Sequence, residues 1–400
     1  MYSLHLTFEQ QEIRRTVRDF VKREIKPIAL QRDPIEEFDR RFPRDVVINA
    51  SKLGLRTLAL SEKHGGGGAD AITSCIVAEE MAVGDVGLAA TLNQTSSLAR
   101  EYFDLSMTDE QRARFLPAFL SDDAYHLAIA THEPDTDLGW CYHRPTIAGT
   151  GYKTTAVLDE QGNWLINGIK NFITNAPIAK LISVWCQVEP KSGGLAGVRS
   201  ILVPTDTPGL TIREHDKVGR RLGSNGELVF DNVRVPGNNL LEKKGENLAS
   251  GRSIPRFQAL NLGIGRAAYE DALEFARMRV QGGRPIIEHQ SVGLQLANMA
   301  IALEGARALI WKAAWGSEHP EAYEDGSLPD LPLQTIAKVT TSEVVMRVAM
   351  QAAEMFGGMG VMRDLPMQKY VRDAFIFMHS EQTNDVARMK VAEMLAGFRR

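Results

Sequence analysis

A chain of 400 residues, 44% hydrophobic and 24% charged, has the composition of an ordinary globular protein and exceeds what one hydrophobic core usually holds. Its formal net charge of -4 gives no electrostatic reason to bind nucleic acid or an anionic membrane surface. The three cysteines, Cys75, Cys141 and Cys186, lie far apart without a CxxC pair, which argues against a disulfide framework or a thiolate metal site and suits a reducing cytoplasm.

The first third has helical periodicity. "TFEQQEIRRTVRDFVKREIKPIA" places Thr7 as N-cap ahead of apolar residues spaced by three and four. It carries acidic residues early, so it reads as a folded helix and not as a signal or transit peptide. "PRDVVINASKLGL" predicts a second helix, with Pro43 in its first turn and Gly54 at its end. "ADAITSCIVAEEMAVGD" and "GLAATLNQTSSLAREYF" are rich in small residues and are expected to be buried on several sides. "TDEQRARFLPAFLSD" is a further capped helix. Between them, "KHGGGGAD" lacks the GK[ST] ending and the leading strand of a phosphate loop, and reads as a flexible turn.

From His126 the period changes to that of strands. Seven short β-branched segments follow, from "YHLAIATHE" to "ELVFDNVRVP", each broken by Gly, Asn, Asp or Pro. Helical spacing returns after Leu248 in three long amphipathic segments. "PMQKYVRDAFIF", running into "EQTNDVARMKVAEMLAG", closes an antiparallel bundle. The predicted fold is therefore α+β and multidomain: a helical domain over 1–125, a β-barrel-like domain over 126–240 and a helical bundle over 241–400. No run of about 18 uninterrupted apolar residues occurs, so no membrane span is expected.

Familiar catalytic signatures are absent. "NLGIGRAA" sits inside a helix and cannot serve as a dinucleotide fingerprint. The nine histidines form no HExxH pair and no serine occupies a GxSxG elbow, so no metal site or hydrolase triad is predicted. Glu381, in "MHSEQTNDVAR", reads from pattern alone as an acid favoured near a helix N-terminus.

Six segments in register change that reading: "LGLRTLALSEKHGGGGAD", "HEP" (His132 to Pro134), "LINGIKNFITNAPIAKL", "GSNGELVFDNVRVPGNNLL", "RMRVQGGRPIIEHQSVGLQLANMA" and "EMFGGMGVMRDLPMQKYVRDAFIFMHSEQT". Together they span nearly the whole chain, and the sequence resembles the acyl-CoA dehydrogenase family. The resemblance implies bound FAD and oxidation of an acyl-CoA thioester at its α,β bond. Electrons would pass to an electron-transferring flavoprotein, and the chain would form a homo-oligomer, a dimer of dimers. It places the catalytic base at Glu381 and a cofactor-facing hydroxyl at Thr383. Thr174 falls at the position that hydrogen-bonds the flavin ring, and Phe172 where a tryptophan usually packs on it. Arg279 and Gln290 match residues that reach a neighbouring subunit's FAD, and Gly358 one that lets backbone approach the cofactor. Three departures stand out: Gln382 follows the base where the family writes Gly, Glu354 replaces a glutamine and Gly282 a phenylalanine. The loop after Pro134 is also longer than the family's, so contacts to CoA there do not transfer. Two other uses of the scaffold stay open, a desulfinase-like lyase or flavin monooxygenase, and a non-catalytic acyl-CoA-binding protein.

Overall fold

The structure, a computed structural model, describes residues 5–134, 151–188, 197–241 and 253–397. The extended loop after Pro134, with Cys141, falls outside them.

Helix α1 (Phe8–Phe20) begins as its sequence predicts: the Thr7 hydroxyl accepts the Gln10 N–H at 3.1 Å, and the Gln10 side chain accepts the Thr7 N–H at 3.0 Å. A π-helical turn (Val21–Ile25) leads into α2 (Lys26–Arg32), followed by α3 (Phe38–Arg41) and α4 (Arg44–Lys52). The four glycines that follow form a tightly bonded turn, not a flexible one. Gly66, Gly67 and Gly68 donate their N–H groups to the carbonyls of Ser61, Thr57 and Leu60, and a Cβ on Gly66 would meet Leu60 O at 2.2 Å. Helices α5 (Ala71–Gly84) and α6 (Val86–Ala99), capped by Asp70 and Asp85, are buried almost all round, as their small residues imply. Helix α7 (Asp109–Ser121) starts on a second capping box, at Thr108.

All seven predicted strands form: β1 (His126–Ala130), β2 (Thr155–Leu158), β3 (Asn163–Thr174), β4 (Ala179–Val188), β5 (Gly197–Pro204), β6 (Leu210–Glu214) and β7 (Asn225–Pro236). A two-residue β8 (Leu240–Leu241) completes one sheet in the order β6-β7-β3-β2-β4-β5-β8, with β1 beside β4. Strands β1 and β2 run parallel to β4; the other pairs are antiparallel. One set of side chains, among them Trp164, Ile166, Val184 and Phe230, makes the sheet's own core. Leu127, Leu181 and Leu202 instead pack with Phe103, Phe115 and Phe119 of the N-terminal helices. That alternation is the period-2 pattern of strands covered on both faces.

After the sheet come α8 (Arg256–Met278) and a small hairpin, β9 (Val280–Gln281) with β10 (Arg284–Pro285). Its two turn residues, Gly282 and Gly283, both have left-handed φ (+65° and +81°), the requirement of a two-residue hairpin turn and a local reason for glycine at 282. Helices α9 (Gln290–Glu318), α10 (Glu321–Glu324), α11 (Leu333–Met355), α12 (Met367–His379) and α13 (Asn384–Leu395) follow. The closing segment is thus two helices, not one. α12 ends where Ser380 N–H reaches Ile376 O at 3.0 Å, and α13 begins on Thr383, whose hydroxyl accepts the Val386 N–H at 3.4 Å.

The helices from the two ends of the chain share one core, in which Phe20, Ile25 and Met81 meet Leu260, Ile264, Leu303 and Val345. The sheet docks on this body through the β6–β7 connection. Arg372 donates to Val218 O at 2.7 Å, Arg220 N–H donates to Asp373 at 2.6 Å, and a Cβ on Gly219 would lie 2.4 Å from Arg372 O. Among the described residues no helix is long and apolar enough to cross a membrane.

Candidate active site

The break between α12 and α13 presents Glu381. Its φ of +63° lies in the left-handed region, which a non-glycine residue occupies only when its surroundings hold it there. The cap of α13 is Thr383 and not Glu381, whose carboxylate is instead engaged by α8 and α11. Its Oε2 accepts from Gln258 Nε2 of α8 at 2.9 Å, and its Oε1 from Gln334 Nε2 of α11 at 3.4 Å. Both partners are neutral amides. The residue as a whole is exposed, while desolvation of its carboxyl among these helices pushes its pKa up; the charge of Lys338, the Gln258 hydrogen bond and the charge of Lys390 oppose that rise. Neither lysine is committed to an ion pair with it. Lys338 donates instead to Asn384 Oδ1 at 2.6 Å and Met378 O at 3.3 Å. Around the turn, Gln382 N–H bonds Ser380 O at 2.8 Å, while the Glu381 N–H meets no backbone carbonyl among the described residues.

Phe172 and Thr174 end β3. Phe172 takes a left-handed φ of +56° and is 66% exposed, its ring tilted against His215 at 5.2 Å between centroids. His215 is held by Asn171 Oδ1 at 2.6 Å. Thr174, half-buried, pairs with Asn225 across the sheet, and the next residue, Asn175, anchors this strand end on α6 by donating to Thr91 O at 2.9 Å. The β6–β7 connection, bracketed by His215 and Asn225, carries Arg220, whose guanidinium lies between Phe257 and Phe377 at 5.4 and 5.5 Å. Phe257 adjoins Gln258 in sequence and Phe377 sits one turn before Glu381. The sheet-borne pair and the carboxylate are thereby tied to one connection.

Arg279, Gln290 and Gly358 gather elsewhere, on an exposed end of the C-terminal helices. Arg279 O accepts Ile286 N–H at 2.8 Å, and the His289 ring bonds Gln281 O at 3.0 Å, which brings the start of α9 against the hairpin. Phe275, in the last turn of α8, stacks on Phe356 at 4.0 Å and draws the Gly357–Val361 turn to the same place. Among the described residues no atom beyond its chain neighbours lies within 4 Å of a Cβ built on Gly358, whereas one on Gly360 would strike Ala353 O at 2.1 Å. Packing within the chain therefore demands glycine at 360 and not at 358. No hydrogen bond among the described residues joins this patch to Glu381. An exposed aromatic beside a half-buried hydroxyl, and an exposed guanidinium beside an uncrowded glycine turn, fit the flat ring and the charged pyrophosphate of a dinucleotide.

Sequence reasoning missed Gln258, Gln334, Lys338 and Lys390. One signal was available for Gln258: a glutamine amid the apolar run "QALNLGIG" is a polar group bound for a core, where it needs a partner. Glu133, read only as part of "HEP", is a buried structural anchor, accepting from Lys170 Nζ at 2.7 Å and from Thr154 N–H at 3.0 Å. Among the described residues no His, Cys, Asp or Glu cluster is arranged to hold a metal ion.

Three family descriptions match in order: acyl-CoA dehydrogenase N-terminal domain over residues 7–123, middle domain over 148–233 and C-terminal domain over 249–396. An acyl-CoA dehydrogenase of Bacillus subtilis is 33% identical, covering 98% of this chain and 100% of its own. A short-chain-specific acyl-CoA dehydrogenase of Megasphaera elsdenii is 32% identical over 96% of this chain and 97% of its own. The butyryl-CoA dehydrogenase structure from Megasphaera elsdenii superposes with a TM-score of 0.84 at 30% identity, covering 99% and 100% of the two chains. A chain in the structure of the electron transferring flavoprotein of Acidaminococcus fermentans follows at 0.83 and 29%, covering 98% and 99%. Its three domains, their order and this full-length similarity show that the chain belongs to the acyl-CoA dehydrogenase family and is an oxidoreductase of that kind.

Proposed function

We propose that this acyl-CoA dehydrogenase oxidises a short acyl-CoA with Glu381 as the base, FAD as its cofactor and an electron-transferring flavoprotein as its acceptor. It works as a homo-oligomer in the cytoplasm. The observation that carries the reading is the Glu381 carboxyl, presented on a left-handed turn, raised in pKa by burial and faced by amides instead of paired cations. A carboxylate is a weak base in water; withdrawn from water, with no cation neutralising it, it becomes able to take the proton beside a thioester. The Glu381 N–H, not spent on the backbone, donates to the thioester oxygen and stabilises the negative charge that develops there. Thr174 and Phe172 would hold the ring of FAD, Thr383 would offer it a hydroxyl, and Arg279, Gln290 and Gly358 would receive the dinucleotide of a neighbouring subunit. When bound, FAD supplies the two-electron acceptor for the β-hydride. The retained carboxylate favours dehydrogenation over the lyase and monooxygenase uses of the scaffold. The short acyl group is supported by the Megasphaera relatives.

Anaerobic titration with a series of straight and branched acyl-CoAs tests this directly. The flavin is expected to bleach with butyryl-CoA or a near homologue. A yellow protein that no acyl-CoA bleaches would overturn it.

A further inference from the structure

Gln258 lies on α8, is 3% exposed, and donates to Glu381 across 123 positions of sequence at 2.9 Å. Its own carbonyl, Oε1, is buried without a hydrogen-bond partner among the described residues. An amide placed for stability satisfies both ends; this one satisfies only the end that touches Glu381. Among the described residues no other side-chain hydrogen bond orders it. The other amide at the carboxylate, Gln334, is longer at 3.4 Å and only half-buried.

Resting on Glu381 as the base, we propose that Gln258 is a positioning residue of the reaction, which fixes the Glu381 carboxylate in direction and holds it ionised before substrate arrives. The physical reason is that an N–H donated to a carboxylate binds the charged form and not the protonated one. Burial pulls the carboxyl toward protonation, and a protonated acid cannot accept the α-proton. A cation at the same distance would keep it ionised too, but would weaken it as a base; a neutral amide opposes protonation mildly and leaves basicity in place. The other charges facing the site act from further off or are engaged elsewhere. Lys338 of α11 is bonded to Asn384 and Met378, Lys390 of α13 faces Glu393 as well, and Arg388 is paired with Glu343. From the sheet, Arg220 faces Asp373 and Asp85, and His379 of α12 packs on Phe375.

The test uses the FAD-loaded enzyme with Gln258→Met, which keeps length and volume but cannot donate, and Gln258→Glu, which keeps shape and adds a like charge. The pH profile of kcat/KM for butyryl-CoA, or for whichever acyl-CoA reduces the wild type, reads the base. Removing the N–H is expected to move the acid limb upward by roughly one pH unit, about a tenfold loss below it, and the Glu variant is expected to move it further. Gln334→Met is expected to move it less. A second readout is thermal melting: Gln258→Met removes an unsatisfied buried carbonyl, so the melting temperature should hold or rise. A lower melting temperature with an unmoved acid limb would show Gln258 to be structural and overturn the proposal. If the Met variant does not fold, an unmoved limb in Gln258→Glu overturns it equally. Glu381→Gln separates this from the assignment beneath it. Should that variant reduce its flavin at the wild-type rate, the base is wrong; should it fail while the Gln258 limb stays put, only the positioning role is wrong.

Discussion

Two carboxylates in this protein are surrounded by helices and answer that placement in opposite ways. Glu80 of α5, 2% exposed, accepts from Arg18 of α1 at 2.7 Å and from Arg266 of α8 at 3.0 and 2.5 Å, and its neighbour Glu79 takes Arg266 and Arg307, each at 2.8 Å. Burial would raise the Glu80 pKa, but the hydrogen bonds from Arg18 and Arg266 outweigh it and hold it below the usual carboxylate range. Glu381 meets two amides and its pKa is raised. The difference separates structure from chemistry. Carboxylates neutralised by guanidinium groups tie helices together, Glu80 joining α5 to α1 and α8 and Glu79 joining it to α8 and α9, and are inert as bases. One left to amides adds little to stability and keeps its affinity for a proton.

Breaking the pair of roles should give the largest effect at Glu381. Glu381→Gln preserves size and hydrogen bonding, so FAD and acyl-CoA still bind, while flavin reduction followed by stopped flow falls by about 10²–10⁴-fold or more. Reduction at the wild-type rate would place the base elsewhere. At Glu80 the loss should be of stability. Glu80→Gln leaves Arg266 without its full complement and is expected to cost about 3 kcal/mol in denaturant melts, with the rate per folded enzyme unchanged. A loss within experimental error would mean the cluster is a solvated surface and the contrast is false. Arg279→Ala, on the exposed patch, should weaken FAD retention by about 1.5–3 kcal/mol and loosen the oligomer with it. A monomer with full FAD occupancy would disprove the bridging of subunits.

The smallest and most discriminating effect is in the pH dependence of stability, where the two acids should carry opposite signs. Glu80, lowered on folding, contributes stability that is present above the ordinary carboxylate range and lost as pH falls through its folded pKa. Glu381, raised on folding, contributes stability that is present below the ordinary carboxylate pKa and lost as pH rises through its folded one. Melting temperatures across mildly acidic to neutral pH should show Glu381→Gln gaining on the wild type as pH rises. They should show Glu80→Gln losing least at the acid end. Parallel curves for the two variants would remove the distinction.

Much of this architecture was legible before any coordinates. The capping boxes at Thr7 and Thr108 and the seven strands follow from hydrogen bonds and side-chain periods that act within a few residues. The order of motifs pointed to Glu381 through resemblance, not through its local pattern, which suggested only a helix terminus. The break at Ser380–Thr383 escaped because both flanks are helical and no Gly or Pro marks the stop; the strained residue there is the glutamate itself.

The sequence by itself determined the elements, their order and the family, because periodicity, caps and turn residues are local and additive along the chain. Only the tertiary structure decided how differently these two carboxylates are surrounded. Glu80 and Glu381 are the same residue type, and their difference lies in partners brought from α1 and α8 in one case and from α8 and α11 in the other. Those partners are set by how helices pack, and the pKa follows from the charge and water that packing leaves around each group.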